Sequence, residues 1–275
     1  MKPGLQILFQ TRYSFFGLSG WRSQDSQDMA RLFDPARLAQ RFDLFQRLNL
    51  ASLRDQTDAD FKLVLLTSTE LPEDHARLVT EACHDMIGEE RTHIIARPPG
   101  RAGAWLQKHI SRKLNDISHS AQIVLDDDDA VSADFVALCR AEAGFALSRL
   151  RPDQEAAYLS FADGLTGLFR EDGGVDLAPR SAPFTNLGLT LVAPTATRKN
   201  PYLLAHKKVA RRHQVRVLHD QRPFYIRAVH DTNDSRAQYR DEILGADAIK
   251  AALPYFPLLM DLDLIKLRDS NTAVA

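Results

Sequence analysis

The chain has 275 residues, 44% of them hydrophobic and 26% charged, with a formal net charge of −1. That length can bury a sizeable core, and that composition excludes an extended disordered chain. With 35 Lys and Arg against 36 Asp and Glu, the chain has no overall basic excess, so no nucleic-acid partner is expected.

Residues 5–10 read as a buried first strand. Asp34-Pro35 then opens a helix, with Asp as N-cap and Pro at the first helical position. Leu38, Phe42, Phe45 and Leu48 follow at helical spacing. Residues 61–67 form a short apolar run, as expected of a strand buried on both faces. Pro72-Glu73-Asp74 starts a helix with Leu78, Val79, Ala82 and Met86 inward and Gly88 as C-cap. Residues 93–96 are a third strand, residues 103–117 a helix, and residues 121–125 a fourth strand. This alternation predicts an α/β fold: a mostly parallel central sheet with helices on both faces.

The pattern then becomes mixed and loop-rich. Ser132 is placed to cap a helix reaching about residue 150. Residues 158–161 and 165–169 flank Asp163-Gly164, a two-residue hairpin signal. Residues 171–185 read as a mobile loop, 187–192 and 224–230 as strands, and Asn200-Pro201 as the start of a short helix containing His206, Lys207 and Lys208. Residues 246–267 read as helical, interrupted at Pro254 and Pro257. The division expected is one domain over 1–275. Residues 1–131 form its first half, 132–245 a mixed second half, and 246–275 a C-terminal helical segment.

Cys83 and Cys139 lack metal-ligand spacing and cannot make a disulfide framework, which points to a reducing compartment. The start of the chain has no signal-like apolar region. No stretch approaches the ~20 apolar residues that span a bilayer, so no transmembrane segment is expected. A cytoplasmic location follows as an expectation, with peripheral membrane contact left open.

The chemistry concentrates in residues 126–129, four successive aspartates directly after an apolar strand. Adjacent carboxylates repel one another and call for a counter-charge, and hard divalent cations prefer carboxylate oxygen. In open α/β sheets ligands bind beyond the carboxyl ends of the strands, where this run stands. Helix capping accounts for one or two of these acids, Asp129 and nearby Asp134 among them, but not for all four.

The stretch LDDDDAVSADFV resembles the Asp-x-Asp region of GT-A-type glycosyltransferases. More narrowly, the chain resembles a bacterial family of rhamnosyl transferases. The resemblance runs through LFQTRYSFFG, RFDLFQRLNLASLRDQTDADFKLVLLTS, LDDDDAV, the HKK of residues 206–208 and YIRAVHDTNDS at residues 225–235. It implies a GT-A-like fold and a nucleotide-sugar donor with Mn²⁺ or Mg²⁺ as cofactor. The acceptor would be a glycan, a lipid-linked molecule or a small molecule. It also implies that Asp126 touches the ribose or a metal-bound water, while Asp128 ligates the metal. Asp127 with Asp129 is the other register. His230 becomes a metal ligand or diphosphate contact, with His219 a weaker rival.

Arg12, after the first strand, and Arg101, at a Gly-flanked helix start, are candidate partners of the donor, with Asp127, Lys207 and Arg227. Lys108, Arg112 and Lys113 lie near them in sequence, and Arg211-Arg212-His213 reads as a solvated face. Candidate general bases are Asp163, Glu171 and Asp172. Phe15, Phe16 and Trp21 could stack on a base or sugar, or simply pack. Two other readings remain: a nucleotidyl or phosphoryl transferase using the same acidic site, and a divalent-cation or carbohydrate-binding protein without turnover. The chain has neither a Walker A element nor a Gly-x-Gly-x-x-Gly, and lacks EF-hand spacing.

Overall fold

A computed structural model describes residues 2–18, 28–230, 242–265 and 267. Among the described residues, eleven strands fall in the order β1 Lys2–Arg12, β2 Phe61–Ser68, β3 Thr92–Arg97, β4 Ile117–Val124, β5 Ala130–Val131, β6 Ala157–Phe161, β7 Asp163–Phe169, β8 Val175–Ser181, β9 Thr190–Pro194, β10 Gln214–Leu218 and β11 Tyr225–Val229. The α-helices are α1 Met29–Leu32, α2 Pro35–Leu44, α3 Ala51–Arg54, α4 Glu73–Ile87, α5 Ala102–Lys113, α6 Phe135–Ser148 and α7 Ala246–Ala252.

Seven strands form the central sheet in the order β10-β6-β9-β4-β1-β2-β3, and β5-β11-β7-β8 form a second sheet. In the central sheet β1 pairs in parallel with β2 and β4, β2 with β3, and β6 with β10. Only β9 runs antiparallel to its neighbours. The parallel α/β architecture expected from the alternation is present.

Alternate residues of a strand face opposite ways. Ile7, Phe9, Leu63 and Ile123 pack with Leu38 of α2, Val79 of α4 and Cys139 of α6. Leu8, Val64 and Leu66 pack on the other face with Leu106 and Ile110 of α5. Farther along that face, Tyr158 and Leu191 pack with Val209, from the 3-10 turn His206–Arg211. Two very different coats therefore cover the sheet: several helices on one side, and α5 with a loop-and-turn segment on the other.

Several local expectations hold. The Asp34 carboxylate accepts from Arg37 N at 3.0 Å, and Gly88 ends α4 at φ +104°. Asn200 caps a 3-10 turn by accepting from Tyr202 N, but that turn ends at Leu203, and residues 206–208 belong to a separate 3-10 turn, His206–Arg211. The C-terminal helix breaks near Pro254 and Pro257, leaving α7 and a 3-10 turn Pro257–Asp261; residues 268–275 lie outside the described residues.

Others are corrected. Helix α5 ends at Lys113, and Ile117 begins β4 rather than closing the helix. Leu78 is exposed, because the buried stripe of α4 runs Val79, Ala82, Cys83, Ile87. Ser132 lies upstream of α6 and donates to the Asp134 carboxylate at 2.8 Å instead of capping the helix. Asp163-Gly164 is not a hairpin turn: β6 and β7 belong to different sheets. Gly164 is small because Tyr225 lies against it, where an added Cβ would meet the Tyr225 ring at 2.5 Å. The hairpin joins β7 to β8, turning through Asp172-Gly173 with Gly173 at φ +83°. Much of the segment expected as a mobile loop is thus strand β8.

Candidate active site

Strands β1 and β4 run side by side, so Arg12 and Asp126 emerge together at the carboxyl edge of the sheet. There the second sheet meets the first. Strand β5, immediately after the aspartates, pairs antiparallel with β11, placing Tyr225 opposite Val131 and Ile226 opposite Ala130. Continuing that register brings residues 227–230 level with the acidic run.

The four carboxylates divide. The side chains of Asp126 and Asp128 keep 24% and 13% of their surface exposed, whereas Asp127 keeps 1%. Arg12 donates to Asp126 at 2.7 Å. Two nitrogens of Arg41, from α2, donate to the two oxygens of Asp127, one of them across 3.2 Å. Burial pushes the Asp127 carboxyl up to about 6 in spite of Arg41. His230 Nε2 lies 3.1 Å from Asp128 Oδ2. Burial alone would raise the Asp128 pKa, but the His230 hydrogen bond and the Arg41 charge draw it down to about 2. Asp129 turns inward and accepts from Ala228 N at 3.0 Å. Its burial, reinforced by the charge of Asp128, holds its carboxyl well above the usual carboxylate range. Asp129 thereby ties β11, and so His230, to the acidic loop.

Behind Asp126 stands a polar scaffold. The Arg12 guanidinium lies over the Tyr202 ring at 4.4 Å, and Tyr202 donates its hydroxyl to the Gln10 carbonyl at 2.9 Å. Gln10, Gln122 and Asn200 are buried together, Asn200 donating to Gln10 at 2.7 Å and Gln10 to Gln122 at 3.1 Å. On the other side Asn49 donates to the Asp126 carbonyl at 2.9 Å. Asn49 lies in the π-helical turn Phe45–Leu50 between α2 and α3, and such wide turns often reorient a side chain toward a functional site.

A family model described as "Putative rhamnosyl transferase" matches residues 6–242. The chain belongs to this family. No curated protein matches the chain. Among solved structures, a fragment of S. aureus TarS (1–349) shares 12% identity at TM-score 0.43, over 81% of this chain and 60% of that one. A longer TarS structure shares 13% identity at TM-score 0.42, over 82% and 36%. A "putative nucleotide-diphospho-sugar transferase" from Desulfovibrio desulfuricans G20 shares 12% at TM-score 0.34, over 83% and 82%. The chain thus spans less than two thirds of the TarS structures it matches.

Not every residue singled out in the family pattern reaches the acidic edge in the same way. Arg12, Asp126, Asp127, Asp128 and His230 are gathered there. Arg227 is close enough for its charge to oppose the raised pKa of Asp129. Arg101 is exposed at the start of α5, on the same edge. The first amide of that helix, Ala102 N, already donates to Leu18 O at 3.2 Å. Gly103 is small because Tyr202 and Leu203 press on it. Lys207 is exposed on its 3-10 turn. Phe15 is buried in the α5-side core, while Trp21 and residues 231–235 of the family pattern lie outside the described residues.

The candidate bases separate as well. The Asp163 carboxylate accepts from Ser181 Oγ at 2.6 Å and Asp220 N at 3.0 Å, with His219 Nδ1 at 3.1 Å. Burial raises its pKa, but these hydrogen bonds outweigh it and leave the carboxyl below the usual value. Its role there is to knot β7 to the segment entering β11, and His219 belongs to that knot. Glu171 and Asp172 are exposed in the β7–β8 turn; Asp172 accepts from Gly174 N at 3.0 Å. Because β7 runs parallel to β11, with Leu168 opposite Val229, that turn stands at the same end of its sheet as His230.

Sequence reasoning assigned no role to Arg41, Asn49 or Tyr202. For Arg41 a signal was present: it falls on the same side of α2 as Leu38, and a buried-face arginine implies a buried acid.

Proposed function

We propose that this protein is a metal-dependent glycosyltransferase. It would move a sugar, rhamnose by the family's description, from a nucleotide-sugar donor to a glycan, lipid-linked or small-molecule acceptor. The observation that carries this reading is the division of the acidic run. Arg41 and the Ala228 amide hold Asp127 and Asp129 inward, while Asp126 and Asp128 keep exposed surface beside His230.

By donor chemistry the residues fit Mn²⁺ or Mg²⁺: two carboxylates and one imidazole would hold the ion. Among the described residues no group of three or more His, Cys, Asp or Glu is already gathered as a ligand set. Asp126 and Asp128 are instead satisfied by Arg12 and His230. A bound ion would neutralise charge on the departing nucleoside diphosphate. The chain's own residues do the rest. Arg12, rigid over Tyr202, fixes the Asp126 carboxylate and adds positive charge beside it. The low pKa of Asp128 keeps it ionised at neutral pH. Glu171 and Asp172 of the β7–β8 turn would be the candidates to take the acceptor's proton if the reaction is inverting.

The test is thermal unfolding with Mn²⁺ and a panel of nucleoside diphosphates. The wild type should gain several degrees with one nucleotide only when the metal is present. Asp128→Asn should lose that gain while keeping its unliganded melting temperature within a few degrees. Unchanged nucleotide affinity in Asp128→Asn would remove the metal site from the reading.

A further inference from the structure

Charge is segregated along this nearly neutral chain. Residues 91–115 and 177–219 contain none of the 36 Asp and Glu but 14 of the 35 Lys and Arg. The two stretches are far apart in sequence, yet they supply both coats of one sheet face. Helix α5 comes from the first, and the 3-10 turns Pro201–Leu203 and His206–Arg211 come from the second. They meet where Gly103 of α5 abuts Tyr202 and Leu203. Lys108, Arg112 and Lys113 are exposed on α5, and Lys207, Lys208, Arg211 and Arg212 on or next to the second coat. The opposite face carries the acids of α4, among them Glu73, Asp74 and Glu81.

We propose that this basic face is a docking surface for an anionic lipid bilayer. The face spans a seven-stranded sheet, roughly 30 Å at the ~4.8 Å strand spacing. That breadth suits a plane of headgroups rather than a single small anion. Each Lys or Arg near such a surface adds to the attraction. The apolar side chains on this face suit the lipid interface as well. The half-buried Trp105 ring lies within 5.8 Å of the Arg97 guanidinium and 5.7 Å of the Lys108 ammonium. Leu18, 74% exposed, is bridged to Arg101 at the start of α5. Amphipathic aromatic and aliphatic side chains among cations settle at the headgroup level. Nucleic acid is the less suited polyanion, because the face offers a convex helix and short turns rather than a cleft. Helix α5 starts at the carboxyl edge of the sheet, the edge that also carries Asp126. A chain lying on this face would hold its acidic cleft at the bilayer surface. The inference stands on charge and exposure alone and does not require the transferase reading.

The experiment is co-sedimentation of the full chain with phosphatidylcholine vesicles, with and without phosphatidylglycerol. Binding should require phosphatidylglycerol and fall at least tenfold between 50 and 300 mM salt. Lys108→Glu/Arg112→Glu/Lys208→Glu/Arg211→Glu should bind at least tenfold more weakly, with an unchanged far-UV spectrum and melt. Lys250→Glu, on α7, should bind as wild type. The salt titration of the wild type carries the test even if the quadruple variant misfolds. Equal binding to neutral vesicles, no binding to anionic ones, or retention by a DNA duplex without vesicle binding would each overturn the proposal.

Discussion

Arg41 grips Asp127 through two nitrogens of one guanidinium, and both side chains are buried. The pair joins α2 to the loop after β4, 86 positions away in sequence. Its consequence is orientation: with Asp127 pulled inward, the backbone must turn its neighbours Asp126 and Asp128 toward the opening.

Removing one member of this pair leaves a buried charge uncompensated, which costs about 3–5 kcal/mol, whereas an apolar replacement of both is far milder. Arg41→Met is therefore expected to lower stability in urea by several kcal/mol. Arg41→Met/Asp127→Leu should recover most of that loss. If the double variant were as unstable as the single, the loss would belong to packing around α2 instead of to the stranded carboxylate.

Asn49 supports the same loop from its other side, through the Asp126 carbonyl. Asn49→Ala strands a partly buried acceptor, a loss of about 1–3 kcal/mol. Because the loop would then reposition Asp126, the apparent Mn²⁺ affinity in the nucleotide melt should fall about tenfold. Asn49→Asp cannot donate from the same position and should not rescue it. Unaltered metal dependence in Asn49→Ala would confine this side chain to a structural role.

The parts of the fold read correctly from sequence are those governed by local chemistry. Apolar runs ending in polar turns marked β1 to β4, and Asp34-Pro35 and Gly88 marked helix ends. Asp126 and Asp128 stand out as candidates because four carboxylates follow a buried strand and helix capping accounts for only one or two of them. The misreadings came from signals that fit more than one cause. Asp163-Gly164 and Asp172-Gly173 look alike as dipeptides, but one glycine yields to Tyr225 and the other turns a hairpin. Arg41 resembled any helix cation because its partner is remote in sequence. The basic face was divided between two stretches that only the sheet brings together.

The glycines offer a paired test of that distinction. At Gly164 an added Cβ would meet the Tyr225 ring at 2.5 Å and the Tyr225 carbonyl at 2.7 Å. Gly164→Ala should therefore separate β7 from β11 and cost at least about 2 kcal/mol. Gly144 lies within α6 and has nothing within 4 Å. Gly144→Ala should stabilise by about 0.5–1 kcal/mol, through helix propensity and reduced freedom of the unfolded chain. Chemical denaturation of the two variants side by side reads both signs. A harmless Gly164→Ala would mean that β7 and β11 can shift apart without loss.

His93 of β3 and His109 of α5 lie with ring centroids 5.7 Å apart, and the Nε2 of each is buried without a hydrogen-bond partner. Burial, then the charges of His93, Arg97 and Lys113, pushes His109 down to about 4. Burial and Lys62 also lower His93. A histidine with a depressed folded pKa binds fewer protons in the folded state than in the unfolded one. Its contribution is intact above the unfolded value of about 6.5 and is lost as the pH falls from there toward 4. Discounted for partial exposure of the ring, the His109 share is of the order of 1 kcal/mol. Urea midpoints should drop between pH 7 and pH 5, and His109→Gln should flatten that slope, since glutamine stays neutral throughout. An identical pH slope in the variant would assign the acid sensitivity to other groups, the aspartates of the β4 loop first among them.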